Sequence, residues 1–207
     1  DEAVARHIVT LPFKIATLEM GINVYGGWEQ DFFRERVRTF LGVITGARPD
    51  AKIFAMDMFS HLGEYAQGEN ERAKSIGSFT ISPDGKELYV CASDDDLVRV
   101  FNPETMEEMH TLPSGPDPEL FVLHPSGNPL YIANEDDNLV TVVDTQTHKV
   151  LAEIPVGVEP EGMGVSPDGK VVINTSETTN MAHFIDSESF EIFANVLVDS
   201  RPRFAQF

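Results

Sequence analysis

Cysteine, basic residues and long apolar runs are all scarce in this sequence of 207 residues. A single cysteine, Cys91, excludes an internal disulfide framework. No apolar run approaches the roughly 20 residues that a membrane-spanning helix requires. The 15 Lys and Arg residues are outnumbered by 34 Asp and Glu residues, and the formal net charge is −19. Because nucleic acids and anionic membranes are bound mainly through basic residues, we expect neither as a partner.

The sequence also lacks the marks of a signal peptide, a metal site or a cofactor site. It opens DEAVARH, without a basic start, an apolar stretch or an initiator Met, so we interpret Asp1 as a cut or processed end. Its six histidines show no ligand spacing, and no phosphate-binding glycine loop is present. The acidic runs at 94–96 and 135–137 lack the glycine and final glutamate of a calcium loop. We therefore predict no metal and no cofactor, and we interpret the acidic runs as hairpin turns.

A 42-residue repeat dominates the sequence from about residue 76 onward. The segment SPDGK at 82–86 recurs as HPSGN at 124–128 and as SPDGK at 166–170, two steps of 42 residues. In each unit, Pro and Gly supply the backbone angles of a tight turn. Apolar and alternating segments follow, such as 87–92, 139–143 and 149–154, and they predict short strands.

Four strands in about 40 to 45 residues are typical of a β-propeller blade. The fold prediction is therefore mainly β, with four-stranded blades at about 76–113, 114–156 and 157–198 and the start of a fourth. Three blades cannot close a ring, so either the sequence is a fragment or other chains supply the missing blades. The open blade edges would expose unpaired strands, which favours self-association.

The repeat units resemble a known family. The segments SPDGKELYV and YIANEDDNLVTVVDTQTHKVLAEIPVG are similar to YVTN-type β-propeller repeats, and more narrowly to the propellers associated with PQQ-dependent alcohol catabolism in bacteria. The resemblance covers about residues 76–207. It implies a seven-bladed periplasmic propeller without established catalysis of its own. The resulting prediction is a ligand- or protein-binding module linked to periplasmic alcohol oxidation. This interpretation favours a binding protein over an enzyme but leaves enzymatic activity open.

Residues 1–75 do not keep the repeat and follow an α/β pattern instead. Residues 14–23 predict a strand, 29–47 a helix and 51–59 a second strand, a unit that favours parallel pairing. One face of the predicted helix is apolar. That face carries Phe33, Val37, Phe40, Leu41 and Ile44.

This segment resembles the central part of SGNH/GDSL-type hydrolases through TLEMGINVYGG and the residues after it. The resemblance implies that Gly21 and Asn23 are the remnant of an oxyanion hole, although Val24 replaces the usual Asp. The nucleophile block and the late His block are missing from this chain. The alternative function is thus an SGNH-type ester hydrolase with an incomplete set of catalytic blocks. The boundary between this segment and the propeller repeats is predicted near residues 71–74.

Charged residues recur where each unit leads into its innermost strand. In propellers, such loops crowd the mouth of the central channel, so we predict that these side chains converge there. They could bind a small polar ligand or a protein partner, or form solvated turns whose charges neutralise each other. The predicted site residues are Asp117, Glu119, Glu159, Glu161, Arg201 and Arg203.

Overall fold

The computed structural model describes residues 15–20, 39, 42–44, 46–47, 52–57 and 78–207. The chain divides into two compact units, with the boundary between Ala73 and Lys74. In the first unit, strands β1 (Ile15–Met20) and β2 (Lys52–Asp57) pair in parallel, which confirms the predicted pairing. Residues 39, 42–44 and 46–47 are helical, and Ile44 is fully buried. Gly21 and Asn23 lie outside the described residues.

The second unit consists of three four-stranded antiparallel sheets, as the repeat predicted. Blade 1 is β3–β6, blade 2 is β7–β10 and blade 3 is β11–β14, and each has its strands in sequential order. Among the described residues, no helix is long and apolar enough to cross a membrane. The strands are β3 Phe79–Ile81, β4 Leu88–Ala92, β5 Leu97–Phe101, β6 Glu108–Pro113, β7 Pro118–Leu123, β8 Leu130–Asn134, β9 Leu139–Asp144, β10 Lys149–Pro155, β11 Pro160–Val165, β12 Val171–Ser176, β13 Met181–Asp186 and β14 Ile192–Leu197.

The turn chemistry of the repeat is visible in the first hairpin of blade 1. The Ser82 hydroxyl accepts hydrogen bonds from the backbone N–H groups of Lys86 (3.1 Å) and Glu87 (3.0 Å). Gly85 has φ of 73°, a left-handed angle that glycine adopts without steric cost. The acidic run at 94–96 lies in the turn of the β4–β5 hairpin, as predicted. Within this turn, Ser93–Asp95 form a short 3₁₀ helix that ends at a left-handed Asp96.

The core lies between successive blades. One buried cluster joins Tyr89, Val98 and Leu112 of blade 1 to Phe121 and Ile132 of blade 2. A second cluster joins Tyr131, Val142 and other residues of blade 2 to Met163, Val172 and Ile185 of blade 3. Blade 1 is therefore buried against blade 2, and blade 2 against blade 3.

The contact between blades 1 and 2 contains two imidazole rings. The equivalent positions in the contact between blades 2 and 3 hold an apolar pair. The rings of His110 and His148 stack with their centroids 4.2 Å apart. One repeat later these positions are Ala152 and Phe190, which pack against the second core cluster. Burial lowers the pKa of His110, and the neighbouring His148 lowers it further.

We expect this histidine pair to make the melting temperature fall as the pH drops from about 7 to about 5. Because the pKa of His110 is lowered in the folded chain, its stability contribution is present above the ordinary histidine pKa and is lost on acidification. Replacing His148 with Phe, the residue at the equivalent position 190, should reduce this loss. Scanning calorimetry of both proteins across the pH range tests the prediction. Identical pH profiles for the two proteins would contradict it.

Candidate functional site

The loops that carry the predicted site residues are held in place by a hydrogen bond that repeats in each unit. One residue of each loop has a left-handed backbone: Asp117 directly before β7 (φ of 48°), Glu159 directly before β11 (56°) and Arg201 in the segment after β14 (55°). In each unit, the N–H of this residue donates to a side-chain oxygen of another left-handed residue in the preceding hairpin turn. The three bonds are Asp117 to Asp96 (3.1 Å), Glu159 to Asn138 (3.1 Å) and Arg201 to Asn180 (2.9 Å).

Two of the predicted loop residues belong to strands. Glu119 lies in β7 and Glu161 in β11, because both strands begin at the proline one residue earlier. A strand fixes the direction of these carboxylates more firmly than a loop would. The corresponding residue of the third loop, Arg203, lies outside any strand.

Three carboxylates come together at the start of blade 2. Asp117, Glu119 and Glu135 each offer an oxygen, and these atoms all lie within 4.8 Å of one another. Glu135, which the sequence analysis assigned only to a hairpin turn, follows β8 directly, and its N–H donates to the Asp117 carbonyl at 3.0 Å. The backbone thus holds these acids together, and we call them the carboxylate cluster.

The carboxylate cluster is electrostatically unfavourable when fully charged. Burial raises the pKa of Glu119 to about 7, and the charges of Asp117 and Glu135 add to the effect while Arg203 opposes it. Burial and neighbouring acids also raise the pKa values of Asp117 and Glu135. A cation placed among these oxygens would relieve the repulsion. Oxygen donors of this kind suit an ammonium group or a hard metal ion.

The two arginines are mainly engaged with another acid, Glu177. Both Arg201 and Arg203 form ion pairs with Glu177, whose side chain is only 2% exposed. Arg203 also lies 3.5 Å from Glu161. The Glu159 carboxylate accepts a hydrogen bond from the Thr178 hydroxyl. The structure therefore brings the predicted acids and bases into one region, with the arginines largely neutralised there.

Sequence reasoning missed Glu177, although a signal was present. Residues 93, 135 and 177 are separated by two steps of 42, so Glu177 is the repeat equivalent of Glu135. Aligning the residue after the second strand of each unit would have placed Glu135 and Glu177 beside the predicted site. The first unit has Ser93 here, and its hydroxyl donates to the Pro118 carbonyl at 2.8 Å.

A buried Ser–His–Asn arrangement in blade 3 resembles hydrolase chemistry but has no room for a substrate. The His183 Nε2 lies 3.2 Å from the Ser176 hydroxyl, and its Nδ1 lies 2.6 Å from the Asn195 amide oxygen. However, the Gly157 N–H already donates to that Nε2 at 2.9 Å, and Ser176 is fully buried. A Cβ on Gly157 would lie 2.7 Å from the Ser176 Cβ. We assign this network a structural role in fixing the loop into blade 3.

Comparisons with known proteins agree with the blade architecture. The family model described as "Lactonase, 7-bladed beta-propeller" matches residues 48–156, which are 109 of the 207 residues. A solved structure titled "Kuenenia stuttgartiensis Hydrazine Synthase" is similar, with a TM-score of 0.60 and 28% identity. The similarity covers 68% of this chain and 41% of that chain, so this chain spans less than half of that relative. No curated protein matches the chain.

Proposed function

Since the chain belongs to the family of lactonase-type seven-bladed β-propellers, we propose that it is a binding module that holds a small organic cation. The proposal rests on the carboxylate cluster, in which oxygens of Asp117, Glu119 and Glu135 lie within 4.8 Å of one another. Their raised pKa values indicate that each negative charge is disfavoured by burial and by its neighbours. A bound cation would supply the charge that this region lacks.

An amine fits the surroundings better than a divalent metal ion. The guanidinium of Arg203 is close enough to lower the pKa values of both Glu119 and Glu135. Charge alone does not separate the two, because a divalent ion would be both repelled by Arg203 and attracted by the carboxylates about twice as strongly as an ammonium group. An ammonium group donates three hydrogen bonds, one to each of three carboxylates.

We expect binding of 1,4-diaminobutane to become tighter as the pH rises from about 6 to about 8. The cation needs the ionised form of Glu119, and the pKa of that carboxyl is raised to about 7. Replacing Glu119 with Gln should weaken binding about tenfold or more, equivalent to ~1.4 kcal/mol, and flatten the pH profile. Isothermal titration calorimetry at each pH gives both results.

The matched control is Glu188→Gln, which removes one negative charge from the exposed turn between β13 and β14. This variant should bind the diamine as the unchanged protein does. If Glu188→Gln weakens binding equally, the diamine is attracted by net charge and not by the carboxylate cluster. Binding of calcium chloride in the absence of diamine binding would favour a metal ion over an organic cation.

The proposal also includes the periplasmic location and the link to PQQ-dependent alcohol oxidation that the resemblance to YVTN-type repeats implies. A binding role is compatible with a periplasmic module linked to PQQ-dependent alcohol oxidation, and that resemblance alone supports the link. A protein partner presenting a lysine side chain would meet the same carboxylates as a free amine. The alternative of an SGNH-type hydrolase depends on residues outside the described part of the chain, and it stays a prediction.

A further inference from the structure

The outer strand of each blade, which is its last strand in sequence, contains a β-bulge at the same position of the repeat. The pairing register shifts across Met109 in β6, across Leu151 in β10 and across Phe193 in β14. These three residues are separated by two steps of 42. A bulge leaves one residue unpaired and can re-aim its side chain. We call Met109, Leu151 and Phe193 the outer row.

Every member of the outer row is large, apolar and about half exposed. The exposed fractions are 51%, 47% and 59% in chain order. Blade 2 packs on blade 1 and blade 3 on blade 2, so Met109 and Leu151 stay exposed although the next sheet is in place. One exposed apolar residue is ordinary on a protein surface, but here one recurs in all three blades. The exposed residues two positions later share no chemistry, and they are Thr111, Glu153 and Asn195.

The outer row has acidic surroundings. The outer strands and the turns that lead into them, residues 102–113, 144–155 and 186–197, contain eight Asp and Glu residues and one basic residue, Lys149. Glu108, which is paired with Arg99, directly precedes Met109. The outer strands of blades 1 and 2 approach each other where the ring of His110 stacks on that of His148, the residue before β10. The rim of the blades therefore presents apolar side chains within a negatively charged border.

We propose that the outer row binds a basic amphipathic helix of another protein. Apolar side chains of the helix would cover Met109 and Leu151, and its Lys and Arg residues would face the surrounding acids. A strand added to the sheet edge fits less well, because each bulge interrupts the backbone groups that a further strand would pair with. A second copy of this chain also fits less well, since two surfaces of the same negative charge repel each other.

A model peptide tests the proposal. The probe is a fluorescein-labelled peptide of about 18 residues made of Leu and Lys, with Leu at i, i+3, i+4 and i+7 so that it forms an amphipathic helix. Fluorescence anisotropy at about 0.15 M salt measures its binding. We expect the double variant Met109→Ser with Leu151→Ser to bind the peptide at least about tenfold more weakly. Neither substitution changes the net charge, so the loss reports the apolar contact and not the general attraction of a basic peptide to an acidic protein.

The matched control is Phe207→Ser, which removes an apolar side chain of equal exposure, 51%, outside the outer row, and it should leave peptide binding unchanged. Circular dichroism checks that the double variant keeps its sheets. If it does not, Leu151→Ser alone takes its place and should weaken binding about threefold or more. A peptide of the same composition with alternating Leu and Lys should bind more weakly than the helical one.

Three results would overturn the proposal. The first is equal binding of the helical peptide by the double variant and the unchanged protein, or no binding by either. The second is equally tight binding of the alternating peptide, which would assign the outer row to an extended strand. The third is displacement of the helical peptide by 1,4-diaminobutane, which would place it at the carboxylate cluster. Self-association that the double variant abolishes, measured by analytical ultracentrifugation, would also overturn it and assign the outer row to a second copy.

Discussion

Replacing Arg203 with Glu is expected to lower the free energy of unfolding by about 2–4 kcal/mol. Glu177 is 2% exposed and is paired with Arg201 and Arg203, so the reversal would leave a buried carboxylate facing a new one. It would also place that new charge near Glu161, whose pKa burial already raises. The expected cost is below that of breaking a fully buried pair, because Arg203 is 57% exposed. Urea denaturation followed by circular dichroism measures the change.

The matched control for this reversal is Lys170→Glu. Lys170 lies 3.9 Å from Asp168, and both side chains are largely exposed, so we expect a change of only about 0–1 kcal/mol. A double-mutant cycle with Arg203→Ala and Glu177→Ala then separates the direct pairing from the cost of leaving Glu177 unpaired. An Arg203→Glu protein as stable as the unchanged one would show that the ion pair is solvated and leave Arg203 available to a ligand.

The blades were predictable because their signals are local and repeated. The turn at residues 82–86 needs one serine, one aspartate and one glycine within five residues, and all its hydrogen bonds are made within that hairpin. Even the second turn, where His124 replaces the serine, keeps the geometry through Gly127 with φ of 90°. Two further copies at 42-residue steps make a chance pattern improbable.

The environment of the site was less predictable because the interacting residues are far apart in the sequence. The sequence marks Arg201 and Arg203 as charged loop residues, but the burial of Glu177 depends on how the following segment folds over blade 3. The pKa of Glu119 likewise depends on burial and on Glu135, which is 16 positions further along the chain. Distances between side chains that are far apart in the sequence cannot be predicted from short sequence motifs.

The polar contact of His110 with His148 illustrates the same limit. Each histidine alone is an ordinary turn or strand residue, and the predictions assigned neither a role. Their 4.2 Å stacking follows from the packing of blade 1 on blade 2. The repeat then supplies the interpretation, because Ala152 and Phe190 hold the equivalent positions at the next blade contact.

Replacing Tyr131 with Ala is expected to cost about 3–5 kcal/mol, the largest loss from any single truncation proposed for this chain. The ring is fully buried between blades 2 and 3, where it meets Phe190 edge to face with centroids 6.3 Å apart. Its removal would leave a cavity inside the second core cluster, which rigid sheets on both sides cannot close. Urea denaturation followed by circular dichroism gives the loss.

Two controls separate the contribution of the ring to stability from that of its hydroxyl and from the general effect of truncating an apolar side chain. Tyr131→Phe removes only the hydrogen bond that the hydroxyl donates to the Ser187 carbonyl (3.3 Å), and it should cost about 0.5–1.5 kcal/mol. Leu151→Ala removes an apolar side chain that is 47% exposed on β10, and it should change stability by less than about 1 kcal/mol. If Tyr131→Ala costs no more than Leu151→Ala, blades 2 and 3 are not held together by this cluster. A loss of the expected size would instead show that the blade contact stabilises the array, because the Tyr131 ring packs against Phe190 of blade 3 within the second core cluster.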